Sequence, residues 1–187
     1  MRRIFYVLFV AVMFLTSSVV LAKESPSHTS KYHKLDSTIL NKVKQKATFT
    51  LLVPENMPNK WTVELKYPYP LDTNKPIPSV RLHYFDKDEN YILGIEQHKA
   101  VGYKIKKETI DLDVRNNKST RIIVEEDFKF NSSGEIIRFS GVEARFTPWA
   151  SNTLGGFLRW VNDGTYIEMD SSRLSKKDMI EVAKSVK

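Results

Sequence analysis

The chain contains no cysteine in its 187 residues. That excludes a disulfide scaffold, a thiol nucleophile, a Cys-ligated zinc site and a lipid-bearing N-terminal Cys. Glycine and proline are scarce, at 7 and 8 residues, which excludes collagen-like and Gly-rich low-complexity chains. Catalytic signatures are missing too. There is no Gly-x-Ser-x-Gly, Ser-x-x-Lys or His-Glu-x-x-His, no phosphate loop and no dinucleotide fingerprint. No internal repeat of fixed period is present. The remaining composition suits one domain with a short extra segment.

The N-terminus reads as a processing signal. Arg2 and Arg3 precede an uncharged stretch from 4 to 22 that opens with the apolar run Ile4 to Leu15. Val20-Leu21-Ala22 then places small residues where a signal peptidase needs them, so cleavage is expected between Ala22 and Lys23. The alternative is an uncleaved anchor, since a bilayer takes about 20 apolar residues. Either way the remainder is exported, to an extracellular, membrane-associated or wall-associated place on the outer side. Residues 23–35 are polar and unpatterned and read as a flexible linker, leaving 36–187 as a single domain.

Without Arg2 and Arg3, 27 basic residues face 22 acidic ones, a net charge of +5. The lysines are scattered, which suits solubility as well as an anionic neighbour. Export excludes nucleic acid as a partner. The partners left open are a lipid, an anionic cell-wall polymer or an envelope protein.

Hydrophobic periodicity gives the fold class. Ile39, Leu40 and Val43 predict a short helix over 36–46, with Asp36 or Ser37 as its N-cap. Strand alternation then dominates. Phe49, Leu51 and Val53 form one run ending at Pro54, and Trp61, Val63, Leu65 and Tyr67 form the cleanest. Pro68, Pro70, Pro76 and Pro78 mark a loop. Val80, Leu82 and Tyr84 lead to a turn at Asp86 to Asn90 and a returning strand over 91–98. Ile110, Leu112 and Val114 precede the turn Asn116-Asn117-Lys118, a strand over 120–130 follows, and Asn131 to Gly134 turns it back into 135–146. Residues 156–161 and 165–169 flank Asn162-Asp163-Gly164, a strong hairpin signal. Ser175 caps a last helix, with Asp178 three residues on, Leu174 as a staple on Met179, and Met179, Val182, Ala183 and Val186 as its apolar face. The expectation is an α+β domain. Its mostly antiparallel, curved sheet has about eight or nine strands, with a short N-terminal helix and a C-terminal helix packed on it.

Candidate chemistry is sparse. His83 and His98 flank one hairpin, but the spacing does not make them cross-strand neighbours, and Glu96 with His98 supplies only two ligands on one face. No metal and no cofactor are expected. Asp86-Lys87-Asp88-Glu89-Asn90 imitates the start of a calcium loop, yet Tyr91 stands where the turn needs Gly and Gln97 where the bidentate Glu belongs. In Glu125-Glu126-Asp127 only Glu125 and Asp127 share a strand face, and a solvated edge explains them. Gly155-Gly156 reads as a bend entering a strand. Trp149, after Pro148, and Tyr69, between two prolines, are the candidate ligand-binding residues, because rigid aromatics supply contact area at small entropic cost. No catalytic residue is assigned.

Three runs carry a family resemblance. Phe49-Thr50-Leu51-Leu52-Val53-Pro54 with Met57-Pro58 and Trp61 is similar to the opening of the bacterial domain-of-unknown-function family DUF 4367. Val80 to Tyr84 resembles its internal strand. Leu158-Arg159-Trp160, Asp163-Gly164-Thr165-Tyr166, Leu174-Ser175 and Ala183-Lys184-Ser185 resemble its closing hairpin and helix. The resemblance spans roughly 47–187. It implies a curved antiparallel sheet with helices on one side, similar in outline to lipoprotein carriers and envelope sensors. It implies no activity, and this chain lacks the acylated Cys of a lipoprotein.

The sequence therefore points to an exported, non-enzymatic binding or accessory domain of the cell envelope. Its ligand or partner would lie across the open sheet face. Two alternatives remain: a secreted hydrolase using carboxylates or the Glu96/His98 face, and a membrane-tethered signalling or sporulation accessory.

Overall fold

A computed structural model describes residues 37–58, 60–66, 75–150 and 154–187. The expected leader with Ala22 and Lys23, the linker, and Tyr69 in the proline-rich loop lie outside the described residues.

The elements run α1 (Ser37–Lys46), β1 (Thr62–Lys66), β2 (Ser79–Phe85), β3 (Tyr91–Lys99), β4 (Lys104–Asp113), β5 (Lys118–Asp127), β6 (Glu135–Phe139), β7 (Val142–Pro148), β8 (Gly156–Asn162), β9 (Thr165–Ser171) and α2 (Lys176–Lys184). This is the expected α+β class with a mostly antiparallel sheet. Seven strands form one sheet in the order β1-β2-β3-β9-β8-β7-β6, every pairing antiparallel. The hairpin β4–β5 forms a separate two-stranded sheet.

Successive strand residues point to opposite faces, so each strand contributes one stripe to the core. Leu82, Leu93, Ile95, Leu158, Trp160, Ile167 and Met169 form that stripe, each with at most 1% of its surface exposed. Val43 of α1 and Met179, Ala183 and Val186 from the α2 end of the chain close the same core. Ser175 caps α2 as expected: its Oγ accepts from the Asp178 N–H at 3.2 Å. Burying one such Leu or Ile side chain contributes roughly 1.5–3 kcal/mol.

Two hairpins turn on residues at positive φ, Ser140-Gly141 and Asp163-Gly164. That is the backbone a two-residue hairpin loop needs. The second turn was expected. The first divides the expected strand 135–146 into β6 and β7, which pair with each other. The turn expected at Asn116-Asn117-Lys118 joins β4 to β5, but β5 does not return onto β6, and the β4–β5 hairpin stands as a sheet of its own.

The run Phe49 to Val53 also departs from expectation. It is not a strand of either sheet. Leu51 and Leu52 are buried in the core, and the backbone of this segment is held by scattered groups. Val53 and Lys187 exchange backbone hydrogen bonds of 2.9 and 3.2 Å. The Leu52 N–H donates to Gln97 Oε1 at 2.9 Å, and Gln97 Nε2 donates back to the Leu52 carbonyl at 2.6 Å. Thr165 Oγ1 donates to the Thr50 carbonyl at 2.8 Å. Buried peptide groups need partners, and here core-facing polar side chains stand in for a neighbouring strand.

Candidate functional site

The sheet face turned away from the core is polar. Strand register lines up Lys66, Arg81, Glu96, Glu168, Arg159 and Arg145 across six neighbouring strands. The next row holds His83, Gly94, Asp170, Phe157 and Thr147. The stripes on this face carry charge and aromatics.

Arg81 is the centre of the first group. Its Nε donates to His83 Nε2 at 2.8 Å, its Nη1 to Glu96 at 3.1 Å, and its Nη2 to Tyr91 Oη at 3.4 Å and to Asp170. Tyr91 donates its hydroxyl to the other Asp170 oxygen at 2.9 Å. Asp170 keeps only 10% of its side-chain surface exposed, so these two donors supply most of its hydrogen bonding. The group lies over Gly94. A Cβ there would overlap Tyr91 Oη and Asp170 and come within 2.8 Å of Arg81 Nη2. A glycine inside a strand often marks such a close approach.

The second group shares an edge with the first. Glu168, directly opposite Glu96, accepts from Arg159 Nε at 2.6 Å and from Tyr166 Oη at 2.9 Å. Arg159 also reaches Thr147 Oγ1 at 3.3 Å and lies 4.5 Å from the Phe157 ring centroid. Trp149 closes this end: its indole N–H donates to the Ser171 carbonyl at 2.7 Å, its ring sits 4.2 Å from Phe157, and about half of the residue is exposed. Trp149 thus flanks the polar rows.

These surroundings shift the ionisable groups. Burial pushes the Tyr91 hydroxyl up to about 12. Burial raises Glu96 above the usual carboxylate range, and facing Glu168 adds to the rise while Arg81 opposes it. Burial lowers the His83 imidazole, and the adjoining Arg81 charge lowers it further. A neutral His83 can accept from Arg81, which is the role the geometry gives it. Burial works against the Arg81 guanidinium, but Tyr91, Asp170 and Glu96 outweigh it and raise its pKa.

The third group is aromatic. His98 is buried, stacked on Tyr103 at 3.8 Å and on Tyr166 at 4.7 Å, with the edge of Phe128 at 4.4 Å. Tyr103 and Phe128 sit at the base of the β4–β5 hairpin, joined by a 2.9 Å backbone hydrogen bond. The hairpin therefore stands on this polar face.

Phe85 pairs with Tyr91, but a bulge at Tyr84/Phe85 places His83 opposite Gly94, and His98 faces Ser79. His83 and His98 remain apart, as expected. Among the described residues no group of three or more His, Asp and Glu side chains is arranged to hold a metal. Asp86 takes the backbone N–H groups of Asp88 and Asn90, each at 2.9 Å, in a hairpin turn. Glu125, Glu126 and Asp127 pair across the hairpin with Lys106, Lys107 and Lys104. Among the described residues no helix is long and apolar enough to cross a membrane.

Arg81, Tyr91 and Asp170 were not singled out in the sequence. They come from three strands, and the readable signal was Gly94 inside the β3 pattern. No protein-family model, no curated protein and no solved structure matches the chain.

Proposed function

We propose that this chain is an exported, non-enzymatic binding domain of a bacterial cell envelope, and that the open sheet face holds a polar, wall-associated ligand. One observation carries the reading. The helices cover one side of the sheet, while the other carries the row Arg81, Glu96, Glu168 and Arg159, with Phe157 and Trp149 beside Arg159. Arg81 and Arg159 are already neutralised by carboxylates, so a strongly anionic polymer would have to displace Asp170, Glu96 or Glu168. A lipid chain would have to desolvate these ions. An uncharged, hydroxyl-rich stretch of wall glycan meets both demands: it hydrogen-bonds to fixed ions and lies against rings such as Trp149 and Phe157. The resemblance of residues 47–187 to DUF 4367 supports the envelope setting and adds no activity.

Co-pelleting with isolated wall sacculi tests this. Binding should persist after the anionic polymers are stripped away, and should weaken at least about tenfold in Glu96→Ala or Trp149→Ala, the scale of losing one charged hydrogen bond. Binding that disappears with the anionic polymers, or is indifferent to both substitutions, defeats the proposal. The denatured mass of the protein from its host tests the export step, by whether the chain starts at Lys23.

A hydrolytic reading keeps one specific observation: Glu96, raised by burial, stands directly opposite Glu168. Two facing carboxylates are the equipment of glycoside hydrolysis. Release of reducing ends from the same sacculi, abolished in Glu96→Gln, would establish it.

A further inference from the structure

The geometry points to β5 as a self-recognition edge: two copies of this chain join their β4–β5 hairpins, β5 against β5, into one continuous antiparallel sheet. Every described side chain of β5 is exposed, and among the described residues neither β4 nor β5 has another strand beside it. Isolated two-stranded hairpins are marginal in water, and an uncovered strand edge is a ready template for pairing. Yet this hairpin displays Ile110, Leu112, Ile122, Ile123 and Val124 to solvent.

The occupant follows from the order of residues in β5. Its first half carries Lys118 and Arg121, its middle Ile122-Ile123-Val124, and its last half Glu125-Glu126-Asp127. An antiparallel copy therefore sets basic half against acidic half and apolar centre against apolar centre. Two-fold symmetry in a sheet requires one residue to face itself. With Ile123 facing Ile123 of the second copy, Ile122 meets Val124, Arg121 meets Glu125, Thr120 meets Glu126 and Ser119 meets Asp127. Each of these pairs joins compatible side chains, and no like charges meet. Centring on Ile122 instead sets Arg121 against Ile123. The β4 edge is a poorer candidate: centring on Glu108 opposes two carboxylates, and centring on Thr109 sets Glu108 against Ile110 and Lys106 against Leu112. This inference does not depend on the ligand proposed for the sheet face.

The absence of native cysteine makes the test clean, because an introduced thiol is the sole one. Sedimentation velocity over a concentration series, on the chain as its host produces it, should show a monomer–dimer equilibrium. Ile123→Cys should cross-link to a dimer under mild oxidation, and Val114→Cys, at the tip and 87% exposed, should not. Arg121→Glu should weaken association about tenfold or more, and Arg121→Glu with Glu125→Arg should restore it. The restoration is diagnostic. Within one hairpin Arg121 pairs with Glu108 and Glu125 with Lys106, so the double swap opposes like charges there and repairs only the contact between copies. Circular dichroism of each variant confirms that the main sheet is intact. A chain that stays monomeric at every concentration overturns the inference. So does a dimer indifferent to Arg121→Glu, or one in which Val114→Cys cross-links and Ile123→Cys does not.

Discussion

His98 and Tyr103 lie ring against ring, 3.8 Å between centroids and 14° from parallel. One belongs to the main sheet and the other to the approach of the β4–β5 hairpin, so this stack is a contact that joins the two. Burial lowers the His98 imidazole pKa, while its Nδ1 contact with the Lys99 carbonyl and nearby Glu168 partly offset the drop.

That shift has a definite sign. A histidine whose folded pKa lies below its unfolded value binds fewer protons in the native state. Its stabilisation is present above the unfolded pKa, about 6.5, and is lost as pH falls from there through the folded pKa. His83 is lowered too and acts in the same direction; Glu96 is raised and acts oppositely, from the carboxylate range upward. The urea midpoint should therefore fall between pH 7.5 and pH 5.5, and His98→Phe should reduce that fall. An unchanged pH dependence in His98→Phe would remove the stack from the explanation.

Gln97 should be among the most sensitive core positions. It is fully buried and satisfies both the N–H and the carbonyl of Leu52. Gln97→Leu keeps the volume and strands two peptide groups, each costing about 1–3 kcal/mol. A loss of roughly 2–4 kcal/mol in urea unfolding is expected. A loss no larger than an ordinary surface substitution, below about 0.5 kcal/mol, would mean water replaces the glutamine.

That same glutamine shows what could be read from the sequence and what could not. Period-two alternation located the strands, and Asp163-Gly164 located a hairpin, because both signals are local. Residues 49–53 alternate just as well, yet their backbone partners are the Gln97 and Thr165 side chains and the Lys187 backbone, all distant in sequence, rather than a strand of either sheet. Ser140-Gly141 is hidden by a strand pattern that runs on through 135–146. At the site, Glu96 and His98 stood out as residue types. Arg81, Tyr91 and Asp170 did not, since only strand order, which hairpin patterns leave open, brings β2, β3 and β9 together.

The cap of α2 offers a smaller, well-defined effect. Ser175 accepts from the Asp178 N–H at 3.2 Å, and its hydroxyl lies 2.6 Å from the Asp178 carboxylate. Ser175→Ala should cost about 1 kcal/mol, and Ser175→Asn much less. Equal losses in both would indicate that the helix is held by Met179 and its core contacts alone.

Gly94 gives the sharpest test of the polar face. It has a buried, strand-interior position, and Arg81, Tyr91 and Asp170 converge on the space above it. Gly94→Ala adds one methyl group and should separate the three. Asp170 would lose donors while staying largely covered, which is costly for a carboxylate, although the partial exposure of Arg81 limits the cost. We expect a destabilisation of about 1–3 kcal/mol. The same variant should let the Tyr91 hydroxyl drop from about 12 toward the ordinary tyrosine value, followed by NMR of ring-labelled tyrosine. Arg81→Met should destabilise as well, and the two substitutions together should cost less than their sum, because each dismantles the same cluster. Full additivity would show that Gly94 is needed for the backbone of β3 alone, and that the Arg81 cluster does not depend on the room it leaves.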